Sequence, residues 1–323
     1  MCKVKKLINF QWITILMLAL VLAGCGTADE AKKDDTSSKE GQQAEQTGYK
    51  VTDDRDVEVA FDAVPKTIVS LQPSNTEILF ALGVGDKVIG ATEYDTYPEE
   101  AKDIERVSDS VTFNTERIVA LKPDVVIAYS TGNAETLDAL KGLEDAGVKV
   151  FAIKSAASFE DVYGDIQQIA EVMGVKDKGE QLNESIKAKI ADVQAKVKTV
   201  ETPKNVYLEI SPKPDIYTTA AGTFQQEILD AANVNNVFGD QTGWVKVSEE
   251  DVIAKNPQVI LTTVNYVEDA VGEILGRDGW NTITAIQDKA VNYIDTDISN
   301  RPGPRIGEAV EMVAKSVYPE LFK

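Results

Sequence analysis

The 323-residue chain has no histidine. That absence removes Ser-His-Asp hydrolysis and zinc hydrolysis, and it speaks against bare zinc or manganese binding, since all of these lean on imidazole. No Gly-x-Ser-x-Gly elbow and no phosphate-binding loop are present either. An enzyme is therefore not expected, and a paired-carboxylate glycosidase at the cell surface is the distant alternative that composition leaves open. Extended β repeats are missing, which counts against an adhesin. Basic residues are few: 33 Lys and Arg stand against 53 Asp and Glu, a net charge of −20, which speaks against nucleic acid as a partner. Cysteine occurs only at positions 2 and 25, so no disulfide is expected. No metal site and no cofactor are expected.

What is present begins with a targeting signal in residues 1–24. Lys3, Lys5 and Lys6 form a basic head, and residues 13–23 are an apolar run too short for a good membrane span. Leu22-Ala23-Gly24-Cys25 resembles the lipobox of bacterial lipoproteins, which makes Cys25 the expected lipidation site. Cleavage before Cys25 removes three lysines and no acidic residue, taking the charge from −20 to −23. Residues 25–48 are almost wholly polar and read as a disordered tether. A tethered protein on the outer face of the cytoplasmic membrane follows, held by acyl chains. Trp12 falls in the leader.

The folded part reads as two α/β lobes, 49–175 and 203–323, joined by a connecting segment, 176–202. Within it, Leu182, Ile186, Ile190, Val193 and Val197 recur at helical spacing, and a helix over 177–200 would span about 36 Å. Gly174 closes the preceding segment and Pro203 stops the helix. Strand–helix alternation on both sides predicts mainly parallel sheets in two Rossmann-like lobes. The lobes repeat one plan. Glu77-Ile-Leu-Phe-Ala-Leu-Gly-Val84 matches Glu227-Ile-Leu-Asp-Ala-Ala-Asn-Val234, with Asn replacing Gly as the left-handed cap. Glu116, Ile118, Ala120, Pro123 and Val126 match Glu250, Val252, Ala254, Pro257 and Ile260, with Asn114 and Ser248 as N-caps.

These segments resemble one family. Glu116-Arg-Ile-Val-Ala-Leu-Lys-Pro-Asp-Val-Val-Ile-Ala128, Leu71-Gln-Pro-Ser-Asn-Thr-Glu77, Tyr94-Asp-Thr-Tyr-Pro98, Gly132-Asn133, Val247-Ser-Glu-Glu250 and Arg301-Pro-Gly-Pro-Arg-Ile306 are similar to the periplasmic-binding family that serves ABC importers of iron–siderophore, haem and cobalamin. The likeness runs from about residue 66 to the C-terminus and is strongest to the cobalamin binders. It implies ligand in a cleft between lobes joined by one long, stiff helix, delivery to a permease dimer with its ATPase subunits, and a monomer. It implies docking on permease arginines through Glu116 and Glu250. Loops at the carboxyl ends of strands give Ser74, Asn75, Tyr94, Tyr129, Tyr217, Trp244, Asp297 and Arg301 as ligand-facing candidates, with Pro73 beside them. Of these, Tyr94, Trp244, Asp297 and Arg301 match the cobalamin binders; Tyr129 stands where those have Trp, and a second family Trp is missing near Ser110. A corrinoid is the expected ligand, with a ferric siderophore or haem as the alternative. Only Arg301 and Arg305 are placed to meet an anionic siderophore, and Tyr94 or Tyr129 would have to ligate haem. Trp280 is expected in a surface loop, away from ligand.

Overall fold

The computed structural model describes residues 48–108 and 112–323. The leader, Trp12, Cys25, the tether up to residue 47 and Ser110 lie outside the described residues. The described residues belong to one compact unit.

The N-terminal half holds strands β1 (Tyr49–Thr52), β2 (Glu58–Phe61), β3 (Ile68–Ser70), β4 (Val88–Thr92), β5 (Arg106–Ser108), β6 (Val125–Tyr129) and β7 (Val150–Ile153), with helices α1 (Pro73–Ala81), α2 (Thr115–Leu121), α3 (Ala134–Asp145) and α4 (Phe159–Val172). After β1 and β2 pair as a hairpin, β5-β4-β3-β6-β7 form an all-parallel sheet. Helix α5 (Lys176–Val197) leads to the second half. That half contains β8 (Asn205–Ser211), β9 (Tyr217–Thr219), β10 (Asn235–Asn236), β11 (Trp244–Lys246), β12 (Val259–Thr262) and β13 (Val291–Tyr293). Its helices are α6 (Phe224–Ala231), α7 (Glu249–Lys255), α8 (Ala270–Leu275), α9 (Thr284–Gln287), α10 (Thr296–Asn300) and α11 (Ile306–Val317). Here β10, β8, β12 and β13 run parallel, while β9 is antiparallel to both β8 and β11. The protein is thus two α/β lobes with a single long helix between them.

Strand alternation explains the layering. In β6, Val125 and Ile127 enter one core, whereas Val126 and Ala128 enter another on the opposite face. In β8 and β12, Val206, Leu208, Val259 and Leu261 share the first core, while Tyr207 and Ile260 face a third. Both sheets are covered on both faces, as parallel strands require. The first core is continuous through both lobes and includes Ile186, Ile190, Val193 and Val197 of α5. The apolar stripe read from the sequence is therefore the buried face of α5, with Leu182 packed at its edge. The helix ends at Val197, three residues before the expected end, and Lys198 is its C-cap. Gly179 lets α5 approach α4 closely: a Cβ there would stand 2.7 Å from the Ala170 Cβ.

The repeat is visible in backbone detail. Gly83 and Asn233 both take left-handed conformations, with φ of 70° and 54°. Helices α2 and α7 each have seven residues, begin on the Asn114 and Ser248 side-chain caps, and end on left-handed Lys122 and Asn256, each directly before a proline.

One expectation is overturned. Trp280 is fully buried, not in a surface loop. It stacks edge-on with Tyr207 of β8, and the Arg277 guanidinium lies 4.6 Å over its ring. The polar run around it folds inward because Arg277 makes a bidentate pair with buried Glu209, at 2.6 and 2.8 Å.

Candidate functional site

The two lobes meet where the loop after β4 touches α10 of the second lobe. In the N-terminal lobe, β4 runs into the loop 94–98. The Asp95 carboxylate folds back onto Thr92, accepting its N–H at 2.7 Å and its hydroxyl at 2.5 Å. Arg106 of β5 donates to the Asp95 carbonyl at 3.1 Å. With its acid turned inward, the loop presents its tyrosines outward: Tyr94 is 55% exposed and Tyr97 45%.

In the C-terminal lobe, β9 and β11 form an antiparallel ribbon. Trp244 pairs with Thr219, and Lys246 with Tyr217. Cross-strand partners share a face, as do residues two apart. Tyr217 and Trp244 therefore project from one face of this ribbon, and Trp244 is 61% exposed. Tyr129, the last residue of β6, is half-buried. Two further exposed aromatics follow the same rule: Tyr266 just beyond β12, 69% exposed, and Tyr293 at the end of β13. The sequence reading missed both, although position after a strand was the signal that selected Tyr94 and Tyr129.

Asp297 and Arg301 lie one turn apart at α10 and pair at 2.8 Å. They join the opposite lobe directly. Arg301 donates to the Tyr94 carbonyl at 2.8 Å and the Thr96 hydroxyl at 3.1 Å, while Thr96 donates to Asp297 at 2.9 Å. Arg301 also reaches Glu77 of α1 at 3.1 Å. Arg305 holds the same carboxylate bidentately at 2.6 and 2.8 Å, and its guanidinium covers the Tyr97 ring at 4.1 Å. Burial opposes the Arg305 charge, but the hydrogen bonds and charge of Glu77 outweigh it and hold the guanidinium above its ordinary range. The structure thus brings Tyr94, Asp297 and Arg301 together. It adds Glu77, Thr96 and Tyr97, which the sequence showed only within repeats and motifs, and it binds Arg305, expected beside Arg301 for an anionic siderophore, to Glu77. Ser74 and Asn75 are buried in the first turn of α1, where Ser74 packs against Gly303 of the other lobe.

The electrostatic outcome is specific. Two guanidiniums, Arg301 and Arg305, face two carboxylates, Glu77 and Asp297, so neither carries charge left over for a polyanion. Among the described residues, no group of three or more Cys, Asp or Glu side chains is placed to hold a metal ion.

Glu116 and Glu250 occupy equivalent first-turn positions of α2 and α7, and both are exposed. Neither makes an ion pair among the described residues, whereas the neighbouring Glu249 is taken by Lys213 at 2.7 Å.

Residues 68–298 match a family described as periplasmic binding protein. An uncharacterized ABC transporter substrate-binding lipoprotein of Bacillus subtilis, YvrC, is 42% identical over 314 residues, covering 97% of this chain and 98% of its own length. Two solved structures are similar. A possible iron-binding (periplasmic solute-binding) protein of Staphylococcus epidermidis has a TM-score of 0.72 at 31% identity, over 79% of this chain and 100% of that one. The periplasmic vitamin B12 binding protein BtuF of Vibrio cholerae has a TM-score of 0.66 at 29% identity, over 80% and 99%.

Proposed function

The chain belongs to the periplasmic binding protein family, and from that premise we propose that it captures a corrinoid between its lobes and delivers it to an ABC importer. The observation that carries the ligand class is the neutralised guanidinium pair: Arg301 and Arg305 are both committed to Glu77, and Arg301 also to Asp297. A catecholate siderophore, strongly anionic, would have to break these contacts to gain a counter-charge. A large, roughly neutral amphipath instead finds the exposed faces of Tyr94, Tyr217 and Trp244, which suit burial of apolar rings, and polar groups at Thr96 and Asp297 for its amides. Likeness to the vitamin B12 binding protein supports the same class. A ferric hydroxamate or haem is the second reading, favoured by likeness to the iron-binding protein and by exposed Tyr94, which is placed to offer a phenolate.

Delivery rests on Glu116 and Glu250. Each is exposed, unpaired and fixed on a capped helix, so each offers both oxygens to a permease arginine, and two such bidentate pairs define orientation. We assign anchoring to lipid on Cys25 and operation to the outer face of the cytoplasmic membrane, as a monomer. This fits likeness to a substrate-binding lipoprotein.

Titration of a soluble fragment beginning at residue 49 with cyanocobalamin, a ferric hydroxamate and haem tests the ligand. Saturable binding of cyanocobalamin is expected. Binding of an iron ligand without the corrinoid overturns that choice, and binding of none overturns the transport reading. The double variant Glu116→Ala, Glu250→Ala is expected to bind ligand as the parent does and to fail in uptake. Lost ligand binding would take both residues out of the docking role.

A further inference from the structure

We propose that Glu77 is a positioning residue that sets the width of the cleft and fixes the 94–98 loop, by clasping Arg301 and Arg305 of the opposite lobe. Glu77 is 2% exposed, and both its oxygens are used: Oε1 accepts from Arg301 and Arg305, and Oε2 from Arg305. Sequence separations of 224 and 228 residues make these true interlobe bonds. The two arginines then extend the grip to the loop. Arg301 holds the Tyr94 carbonyl and Thr96, and Arg305 lies on Tyr97. One carboxylate on α1 therefore determines where two arginines stand, and these determine where the ligand-facing tyrosines stand.

The repeat sharpens this reading. Glu227, the counterpart of Glu77, also reaches across the seam, but it accepts only the Phe159 N–H at the start of α4. A single bond to a backbone group holds one side, and a three-bond ionic clasp holds the other. Since one apolar core runs through both lobes along α5, opening is confined to the seam above that core, where the Glu77 clasp is the charged restraint.

The inference rests on the cleft being the ligand site, and the test separates the two. Full-length protein in detergent carries Cys2→Ser and Cys25→Ser, with spin labels on Asp138→Cys of α3 and Gln287→Cys of α9, both exposed and in different lobes. Pulsed electron–electron distance measurement on the parent is expected to give one narrow distribution. Glu77→Gln, which keeps the shape but loses the charge, is expected to shift it to longer distances and broaden it. Cyanocobalamin affinity should then fall about tenfold, as if only a tenth of molecules held the competent arrangement. Should Glu77→Gln fail to fold, Arg305→Lys gives a milder loss of the bidentate contact and the same direction of change. An unchanged distribution in a folded variant overturns the clasp. So does Glu227→Gln broadening the distribution as much, because the loosening would then be general. A shifted distribution with unchanged cyanocobalamin affinity supports the clasp and counts against the cleft as the corrinoid site.

Discussion

Asp165 should make the stability of this protein fall as pH rises, and Asp165→Asn should abolish that slope. The side chain sits on the buried face of α4 among Val162, Ile166 and Ile169 and is 6% exposed. Burial is the main force pushing its pKa from 3.8 up to about 8; the charges of Asp54 and Asp161 add to this, and Lys154 opposes it weakly. The folded state therefore keeps the proton that the unfolded chain gives up near pH 4. The stabilisation is whole below pH 4 and is lost progressively as pH rises toward 8, beyond which it stays lost. Each pH unit in that window is worth about 1.4 kcal/mol, so the loss reaches about 3 kcal/mol at pH 6 and about 4 at pH 7. Asparagine is nearly isosteric and cannot ionise. Urea denaturation of the fragment beginning at residue 49 should show Asp165→Asn and the parent differing by a small constant near pH 4.5. The variant should gain several kcal/mol by pH 8, read from midpoints at equal slope. A difference that stays flat from pH 4.5 to 8 would refute the reasoning, because it would mean that Asp165 ionises equally in both states.

Two further outcomes follow from the packing and the aromatic wall. Trp244→Phe should erase most of the ligand-induced change in intrinsic fluorescence of the same fragment, since the other tryptophan it contains, Trp280, is sealed in the core; a persisting signal would place the ligand elsewhere. Gly179→Ala, which in an exposed helix gains about 1 kcal/mol, should here lower stability by about 1 to 2 kcal/mol, because the new methyl meets the Ala170 Cβ at 2.7 Å. A raised melting temperature would show that α4 and α5 have room to separate.

Local chemistry was legible wherever a short-range rule decides the structure. The caps at Asn114 and Ser248 form as expected, each side chain accepting an N–H three residues on. The stripe in α5 was legible because five apolar residues at one spacing leave one face to bury. Strands β9, β11 and β13 are three residues each, too short for a period to show, and the ribbon that carries Trp244 was read only as a residue, not as an element. Trp280 was misplaced for the opposite reason. Its neighbours are those of an exposed turn, and the buried partner Glu209, 68 residues away, together with Glu273 one turn before, holds Arg277 over the ring.

The same distinction explains why Glu77 was read as a repeat marker and its chemistry passed over. Glu77 is the fifth residue of α1, beyond the first turn where the helix dipole favours a carboxylate, and its side-chain partners all lie far away in sequence. Its environment is made by Arg301 and Arg305, which lie 224 and 228 residues further along the chain. Burying one charge without partners would cost several kcal/mol, so the carboxylate and its two arginines stand or fall together. The two glutamates proposed for docking obey the contrary logic. Glu116 and Glu250 are exposed and carry no intramolecular partner among the described residues, so folding does not require their charge. Two equivalent glutamates, Glu77 and Glu227, reach inward across the seam, and two others, Glu116 and Glu250, face outward. The repeat alone could not sort these pairs, because a carboxylate is read from its neighbours and not from its place in a pattern.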